Sequence, residues 1–149
     1  MVCTAAPFPN VLSECWRAWE LRLALSCTVG DVGSYALIAG DLNALAPGDP
    51  VQMAGWPWYL RTMALAQGNH LPRSAIRQMV KAGFIYCFRT CTPDEAGYTV
   101  PTSHPNARID YIFANAALAS RLTSCVRVDE PQEAHVASDH YPVTAEFAV

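Results

Sequence analysis

Three short segments, each with an aspartate in apolar surroundings, constrain how this chain can fold more than any other feature. They are residues 40–43 (Gly-Asp-Leu-Asn), 108–111 (Arg-Ile-Asp-Tyr) and 138–140 (Ser-Asp-His). Each lies in or beside a run typical of a β-strand. A carboxylate in such surroundings needs a cation, a histidine or hydrogen-bond donors, because burying an unpaired charge is costly. The sequence therefore predicts a fold that gathers the three segments at one polar site.

Length and composition limit the remaining choices. The 149 residues fit one domain, residues 1–149, and 52% of them are hydrophobic against 15% charged. A net charge of −3 argues against broad nucleic-acid binding but leaves room for a local basic patch beside a metal site. The N-terminus shows no signal peptide, which favours a cytoplasmic location. No apolar run approaches the length of a membrane span, so none is predicted.

Helical and extended patterns alternate along the chain, which predicts an α/β fold. An amphipathic helix is predicted from residue 11, with Val11, Cys15, Trp19 and Leu23 as its apolar stripe. Further helices are predicted at residues 59–67, 73–82 and 116–121. The predicted strands are residues 35–39, 84–88, 108–113, 124–128 and 141–147, with an irregular loop at 44–58 and an acidic loop after residue 128.

The strand at residues 108–113 predicts a specific pair. Alternation puts Asp110 on the face opposite Tyr111 and Phe113, and His140 is its natural partner. A carboxylate bonded to one imidazole nitrogen fixes the tautomer and leaves the other nitrogen to exchange a proton with substrate. Asp139 beside the histidine suits Mg²⁺, which prefers oxygen ligands.

The turn at residues 40–43 supplies two more candidates. Asp41 and Asn43 lie two apart, so both side chains reach one side of the site. Asp41 is suited to orient or deprotonate an attacking water, and Asn43 to donate to a phosphate oxygen. Together with a cation, these groups suit metal-assisted hydrolysis of a phosphate ester. Each segment alone is more typical of an ordinary turn or structural pair, and only their combination is specific.

In this order, and with Gly-Tyr-Thr at residues 97–99, the segments resemble the endonuclease/exonuclease/phosphatase superfamily, which includes DNase I. The resemblance covers roughly residues 35–149. It implies the C-terminal part of a four-layer α/β/β/α sandwich, with a mainly antiparallel or mixed sheet and flanking helices. It also implies a phosphodiesterase, nuclease or phosphatase that depends on Mg²⁺, or on Mn²⁺ in its place.

The resemblance also implies roles for single residues. His140 matches the catalytic histidine and Asp110 the carboxylate that orients it. Asp139 matches a metal ligand. Asp41 and Asn43 match the pair that positions the nucleophile and the phosphate.

The family's early asparagine and principal metal-binding glutamate have no counterpart in these residues, so the sequence predicts an incomplete domain. A catalytically inactive, truncated module of the same fold, acting in binding or as a remnant, is the alternative function. A sheet without its facing sheet exposes apolar surface, which predicts self-association or a complementary N-terminal half as partner.

Substrate identity stays open at this stage between a phosphorylated small molecule, a lipid headgroup and nucleic acid. Trp-Pro-Trp-Tyr at residues 56–59 fits an aromatic platform for a base or a lipid headgroup, or aromatic side chains packed onto the fold.

Overall fold

The computed structural model describes residues 14–28, 34–66, 68–130 and 133–148, and within these ranges the chain has a mixed α/β fold. The helices are α1 (Glu14–Thr28), α2 (Trp58–Ala66), α3 (Ser74–Lys81), α4 (Cys87–Cys91), α5 (Ala116–Ala119) and α6 (Ala134–Ala137). The strands are β1 (Leu37–Asp41), β2 (Ile85–Tyr86), β3 (Asp110–Ala114), β4 (Leu122–Arg127) and β5 (Val143–Phe147).

All strand pairs in the described ranges are antiparallel. One sheet has the order β1-β3-β2, and the other pairs β4 with β5. The two faces of β3 serve two cores, as alternation predicts. Tyr111 and Phe113 pack with α1 and α3, whereas Ile112 and Ala114 pack with Cys125 of β4. Asp110 shares the face of Ile112 and lies at the end of this second core.

The predicted apolar stripe of α1 is wrong, because its described members face solvent. Cys15 is exposed, and Trp19 and Leu23 are each 55% exposed; Val11 lies outside the described residues. A repeat of four residues drifts by about 40° per step around a helix, so it does not hold one face. The buried side of α1 is formed instead by Glu14, Arg17, Leu21, Ala24 and Leu25.

A polar contact between helices fixes this orientation of α1. Glu14 Oε1 accepts hydrogen bonds from Ser74 Oγ at 2.8 Å and from the Ala75 backbone N–H at 2.7 Å. These groups lie in the first turn of α3, where backbone N–H groups lack helical partners. The carboxylate thus joins α1 to α3 and turns the tryptophan side of α1 outward.

The strand predicted at residues 84–88 is also only partly right. Pairing stops after Tyr86, and α4 begins at Cys87. A nearly buried carboxylate, Asp49, accepts from Tyr86 Oη at 2.9 Å and forms an ion pair with Arg89 at 2.6 Å. This network holds residues 86–89 close to the loop that follows β1, and the chain turns into a helix there.

Smaller differences concern boundaries. The helix α6 lies after the predicted acidic loop, and β5 begins two residues later than expected, at Val143. The other predicted helices and strands are present with shifted ends. No helix in the described part of the chain is long and apolar enough to cross a membrane.

The second core leaves apolar side chains half-buried along one side of the two sheets. They belong to β1 and β5: Leu37, Ala39, Val143, Ala145 and Phe147. Such a side is where a facing sheet would pack in a sandwich. Self-association or docking of a complementary half at this surface stays a prediction.

Candidate active site

The site is built where β1 ends and β3 begins. Asp41, the last residue of β1, is the direct cross-strand neighbour of Asp110, the first residue of β3. Facing positions of an antiparallel pair bring side chains close, so two carboxylates meet at this point. Like charges at such positions destabilise each other unless another group compensates them.

A tight turn after β1 orients Asp41. The backbone N–H of Asn43 donates to Asp41 Oδ1 at 2.8 Å, and Asn43 Nδ2 donates to Oδ2 at 2.9 Å. Asn43 adopts a positive φ of 45°, a conformation that asparagine tolerates better than most residues. The turn therefore places both Asn43 donors on the Asp41 carboxylate.

The structure brings His140 and Asp110 together. His140 Nδ1 lies 3.0 Å from Asp110 Oδ2 and 3.1 Å from Oδ1. With Nδ1 used in this contact, the second ring nitrogen, Nε2, is the one available to a substrate. The pair is part-buried rather than enclosed.

The segment that carries His140 is tied to a neighbouring loop. The backbone N–H of Thr102 donates to the Asp139 carbonyl at 2.9 Å, and that of Tyr141 donates to the Thr99 carbonyl at 2.8 Å. Thr99 is fully buried, and its Oγ1 accepts from the backbone N–H groups of Ile109 at 3.2 Å and Asp110 at 3.4 Å. Thr99 therefore links both members of the Asp110–His140 pair.

The sequence pattern assigns no role to Thr99 or Thr102, because a threonine in a loop carries no signal for long-range hydrogen bonding. Residues 97–99 are part of the family resemblance only. The one available signal was the segment's position shortly before Asp110.

Three side chains form a cluster that suits a cation. One ligand atom each from Asp41, Asp110 and His140 lies within 4.8 Å of the others. They line a cavity of about 430 Å³ whose walls include Ala39 and Ile112. Two carboxylates facing each other match the oxygen donors that Mg²⁺ prefers, so the donor set fits a divalent ion.

Asp139, the predicted metal ligand, lies beside this cluster rather than in it. Its side chain is exposed, and its backbone carbonyl holds the contact with Thr102. The fold therefore brings together Asp41, Asn43, Asp110 and His140. Asp139 precedes His140 in the sequence but lies outside the cluster. Its role as a ligand stays a prediction.

Burial raises the pKa of Asp41 above its ordinary value. Hydrogen bonds from Asn43 act in the opposite direction, and the neighbouring charge of Asp110 adds to the increase. A carboxylate with a raised pKa is a stronger base once it is ionised. The same shift means that holding Asp41 charged costs stability in the folded chain.

This shift predicts a pH dependence of stability. Because folded Asp41 holds its proton to higher pH than the unfolded chain does, the free energy of unfolding should fall as pH rises from the ordinary aspartate range through the raised pKa. Asp41→Asn lacks this pH-dependent contribution to the free energy of unfolding. Urea unfolding between about pH 4 and pH 7 should therefore show the wild type losing stability relative to Asp41→Asn. A difference that is constant with pH, or equal to that of the exposed control Glu146→Gln, would contradict the assignment.

Fold and site together define a class: an α/β protein whose carboxylate–histidine site lies at the ends of antiparallel strands. The profile of the Endonuclease/Exonuclease/phosphatase family matches residues 2–140, which include every clustered residue. The chain belongs to this family, and the resemblance noted in the sequence is confirmed. A search of curated proteins gave no significant match.

Solved structures show the same fold. An AP endonuclease from Archaeoglobus fulgidus is 22% identical with a TM-score of 0.68, over 95% of this chain and 60% of that one. The catalytic domain of APE2 from Xenopus laevis is 21% identical with a TM-score of 0.66, over 99% and 47%. The 3′ phosphatase NExo from Neisseria, solved with a product DNA hairpin, is 20% identical with a TM-score of 0.61, over 91% and 53%.

These comparisons confirm part of a DNase I-like fold, as the sequence predicts. The chain spans about half the length of the solved structures it matches. What those proteins do as whole domains is therefore a basis for proposals about this chain rather than a finding about it.

Proposed function

We propose that these residues form part of a metal-dependent phosphoesterase site, and that nucleic acid is the substrate class to test first. The observation that carries the proposal is the contact of His140 Nδ1 with Asp110 beside a second carboxylate, Asp41. Membership of the Endonuclease/Exonuclease/phosphatase family supports phosphate-ester chemistry. The relatives named as an AP endonuclease and as bound to a DNA product support nucleic acid.

The proposed cation would be held by carboxylates of this site. Asp41 and Asp110 supply clustered oxygens, and Asp139 adds a carboxylate from the segment of His140. When bound, Mg²⁺ or Mn²⁺ supplies charge stabilisation to the phosphate and lowers the pKa of water. A cation would also offset the unfavourable proximity of Asp41 and Asp110.

The side chains divide the proton transfers. Asp41 orients an attacking water and accepts its proton. Asn43 keeps the Asp41 carboxylate in place through two hydrogen bonds. Asp110 accepts from Nδ1 of His140 and so directs Nε2 towards the substrate, where it exchanges a proton with a phosphate or leaving-group oxygen.

An activity panel tests this proposal directly. The purified chain is assayed with bis(p-nitrophenyl) phosphate, DNA oligonucleotides and an inositol phosphate, with Mg²⁺ and with EDTA. Hydrolysis should require Mg²⁺ and should be lost in both Asp139→Asn and His140→Ala. Glu146→Gln, an exposed carboxylate on β5, is the matched control and should keep the wild-type rate. Activity that persists in both site variants would reject the proposal.

The inactive module is the second candidate, and the exposed position of Asp139 outside the clustered side chains favours it. Mn²⁺ binding, followed by paramagnetic broadening of the His140 resonances, is measured beside the activity panel, and the two results together separate the candidates. Binding without hydrolysis of any substrate in the panel would support the inactive module. Binding together with Mg²⁺-dependent hydrolysis would support the enzyme.

A further inference from the structure

The side chain of Tyr141 anchors the segment that carries His140, residues 135–141. Tyr141 follows the histidine directly and is only 4% exposed. Its Oη lies 3.2 Å from the Thr102 carbonyl oxygen and 2.5 Å from Nδ1 of His135. A carbonyl can only accept, so both contacts are satisfied when the hydroxyl donates to Thr102 and Nδ1 of His135 donates to the hydroxyl oxygen. The hydroxyl therefore joins α6 to the loop that precedes β3.

The first part of this segment is held by polar contacts rather than by apolar burial. Residues 135–139 are all exposed, and Val136 among them is 85% exposed. Burial of apolar area is the main stabilising contribution in a fold, so a segment without it keeps its position through hydrogen bonds. The position of His140, near the end of this segment, therefore depends on the polar groups that the segment contacts.

Thr102 lies at the centre of these contacts. Its Oγ1 lies 2.9 Å from the Ser138 carbonyl oxygen and 3.2 Å from that of His135, and its backbone N–H donates to the Asp139 carbonyl at 2.9 Å. Its own carbonyl accepts from Tyr141 Oη. Thr102 is 7% exposed, so these hydrogen bonds are largely shielded from competing water. A single nearly buried residue thus holds the segment at both of its ends.

The Tyr141 ring is held separately from its hydroxyl. The guanidinium carbon of Arg127 lies 4.8 Å from the ring centroid, and the His135 ring meets the tyrosine edge to face at 5.0 Å between centroids. Arg127 is itself fixed, because it donates to the Tyr98 carbonyl at 2.9 Å and forms an ion pair with Asp129 at 2.7 Å. These contacts involve the ring alone, so phenylalanine at this position would keep them.

The backbone of Tyr141 is attached to the same loop as its hydroxyl. The backbone N–H of Tyr141 donates to the Thr99 carbonyl at 2.8 Å, and Thr99 Oγ1 accepts from the backbone N–H of Asp110 at 3.4 Å. The two ends of the tyrosine are thus bound to Thr99 and Thr102, and the first of these also contacts the strand of Asp110. A displacement of Tyr141 would move His140 relative to Asp110, because the histidine is its neighbour in the chain.

From these contacts we propose that Tyr141 is a positioning residue for His140. Its hydroxyl, held between the Thr102 carbonyl and the His135 ring, fixes the segment so that His140 Nδ1 stays within hydrogen-bond distance of Asp110. Tyr141 needs no contact of its own with a substrate or a cation for this role. The expected effect on hydrolysis rests on the proposed function, whereas the effect on the geometry of His140 does not.

Tyr141→Phe tests this role, because it keeps the ring and removes one oxygen atom. Loss of the hydrogen bond should raise the exchange rate of the Thr102 amide proton by about tenfold. In nitrogen-correlated spectra of the neutral imidazole, His140 should lose part of its Nδ1-protonated form, since the contact with Asp110 is no longer kept in every molecule. The rate constant for hydrolysis at saturating substrate should fall by about ten- to a hundredfold, with KM little changed.

Two further variants sharpen the test. Tyr35→Phe is the matched control, because it removes a hydroxyl from a tyrosine that is 56% exposed, and it should match the wild type in every readout. His135→Ala removes the donor to Tyr141 Oη and should change the same readouts less, because the bond to Thr102 remains. The two site substitutions share one contact, so their losses should be less than additive in the double variant. Fully additive losses would contradict the contact between His135 and the hydroxyl.

An unchanged His140 spectrum in Tyr141→Phe would overturn the inference. If that variant also lost stability towards urea, the hydroxyl would have a structural role only. A changed His140 spectrum would support the inference even if the wild-type chain hydrolysed no substrate, a result that counts against the proposed function alone. Hydrolysis by the wild type, with the same rate and spectrum in Tyr141→Phe, would instead reject the positioning role and leave the proposed function intact.

Discussion

Replacing Asp110 with asparagine is expected to lower the rate of phosphoester hydrolysis by about 10²- to 10⁴-fold. The carboxylate lies 3.0 Å from His140 Nδ1, and in the proposed mechanism this contact directs Nε2 to the substrate. Asparagine keeps the size of the side chain, but its amide can donate to Nδ1 and so favours the opposite tautomer. The rate constant at saturating substrate and Mg²⁺ measures the loss, and substrate affinity should change little.

The tautomer itself gives a readout that does not depend on activity. In nitrogen-correlated spectra of the imidazole, wild-type His140 should show the proton on Nδ1 when neutral, and Asp110→Asn should show a mixture or the Nε2 form. Glu146→Gln should resemble the wild type in both rate and spectrum. An Asp110→Asn protein that retains the wild-type tautomer and rate would remove Asp110 from the proposed mechanism.

The contact between Asp110 and His140 was predictable because the two arguments for it need only the sequence around Asp110. Alternation along residues 108–113 fixes the face of Asp110, and an unpaired carboxylate on that face needs a partner. His140 is then the expected partner, because few kinds of side chain can pair with a carboxylate in apolar surroundings. The antiparallel register that sets Asp41 opposite Asp110 could not be obtained in this way, because it depends on how two distant strands align.

The errors in the fold arose from buried polar groups. Glu14 lies outside the predicted apolar stripe of α1, yet it is buried, accepts two hydrogen bonds from the first turn of α3 and sets which side of α1 is buried. Asp49 likewise ends β2 early by binding Tyr86 and Arg89. Hydrophobic periodicity predicts only which apolar side chains are buried. It cannot predict a buried carboxylate whose hydrogen-bond donors lie far away in the sequence.

Gly97→Ala is expected to cause a larger loss of stability than the same methyl addition at Gly48, Gly55, Gly68 or Gly83. Gly97 has φ of +55°, and an added Cβ would overlap both the Phe88 ring and Nη2 of Arg108. Those two groups are fully buried, with the guanidinium carbon 3.4 Å from the centroid of the ring. Burial lowers the pKa of Arg108, and a cation in such surroundings cannot move to solvent without opening the core. Backbone strain and overpacking therefore add, and we expect a loss of about 3–5 kcal/mol.

Two other glycines separate the contribution of backbone strain from that of overpacking. Gly48 and Gly68 have φ of +86° and +65°, but an added Cβ at either would meet no atom within 4 Å. Gly48→Ala and Gly68→Ala should therefore cost only about 1–2 kcal/mol each, from the left-handed backbone alone. Urea unfolding at neutral pH measures all three variants. Because Gly97 lies two residues before Thr99, its replacement should also disturb the contact of His140 with Asp110, visible as a changed His140 resonance. Equal losses in the three variants would show that the packing of Arg108 on Phe88 tolerates the methyl group.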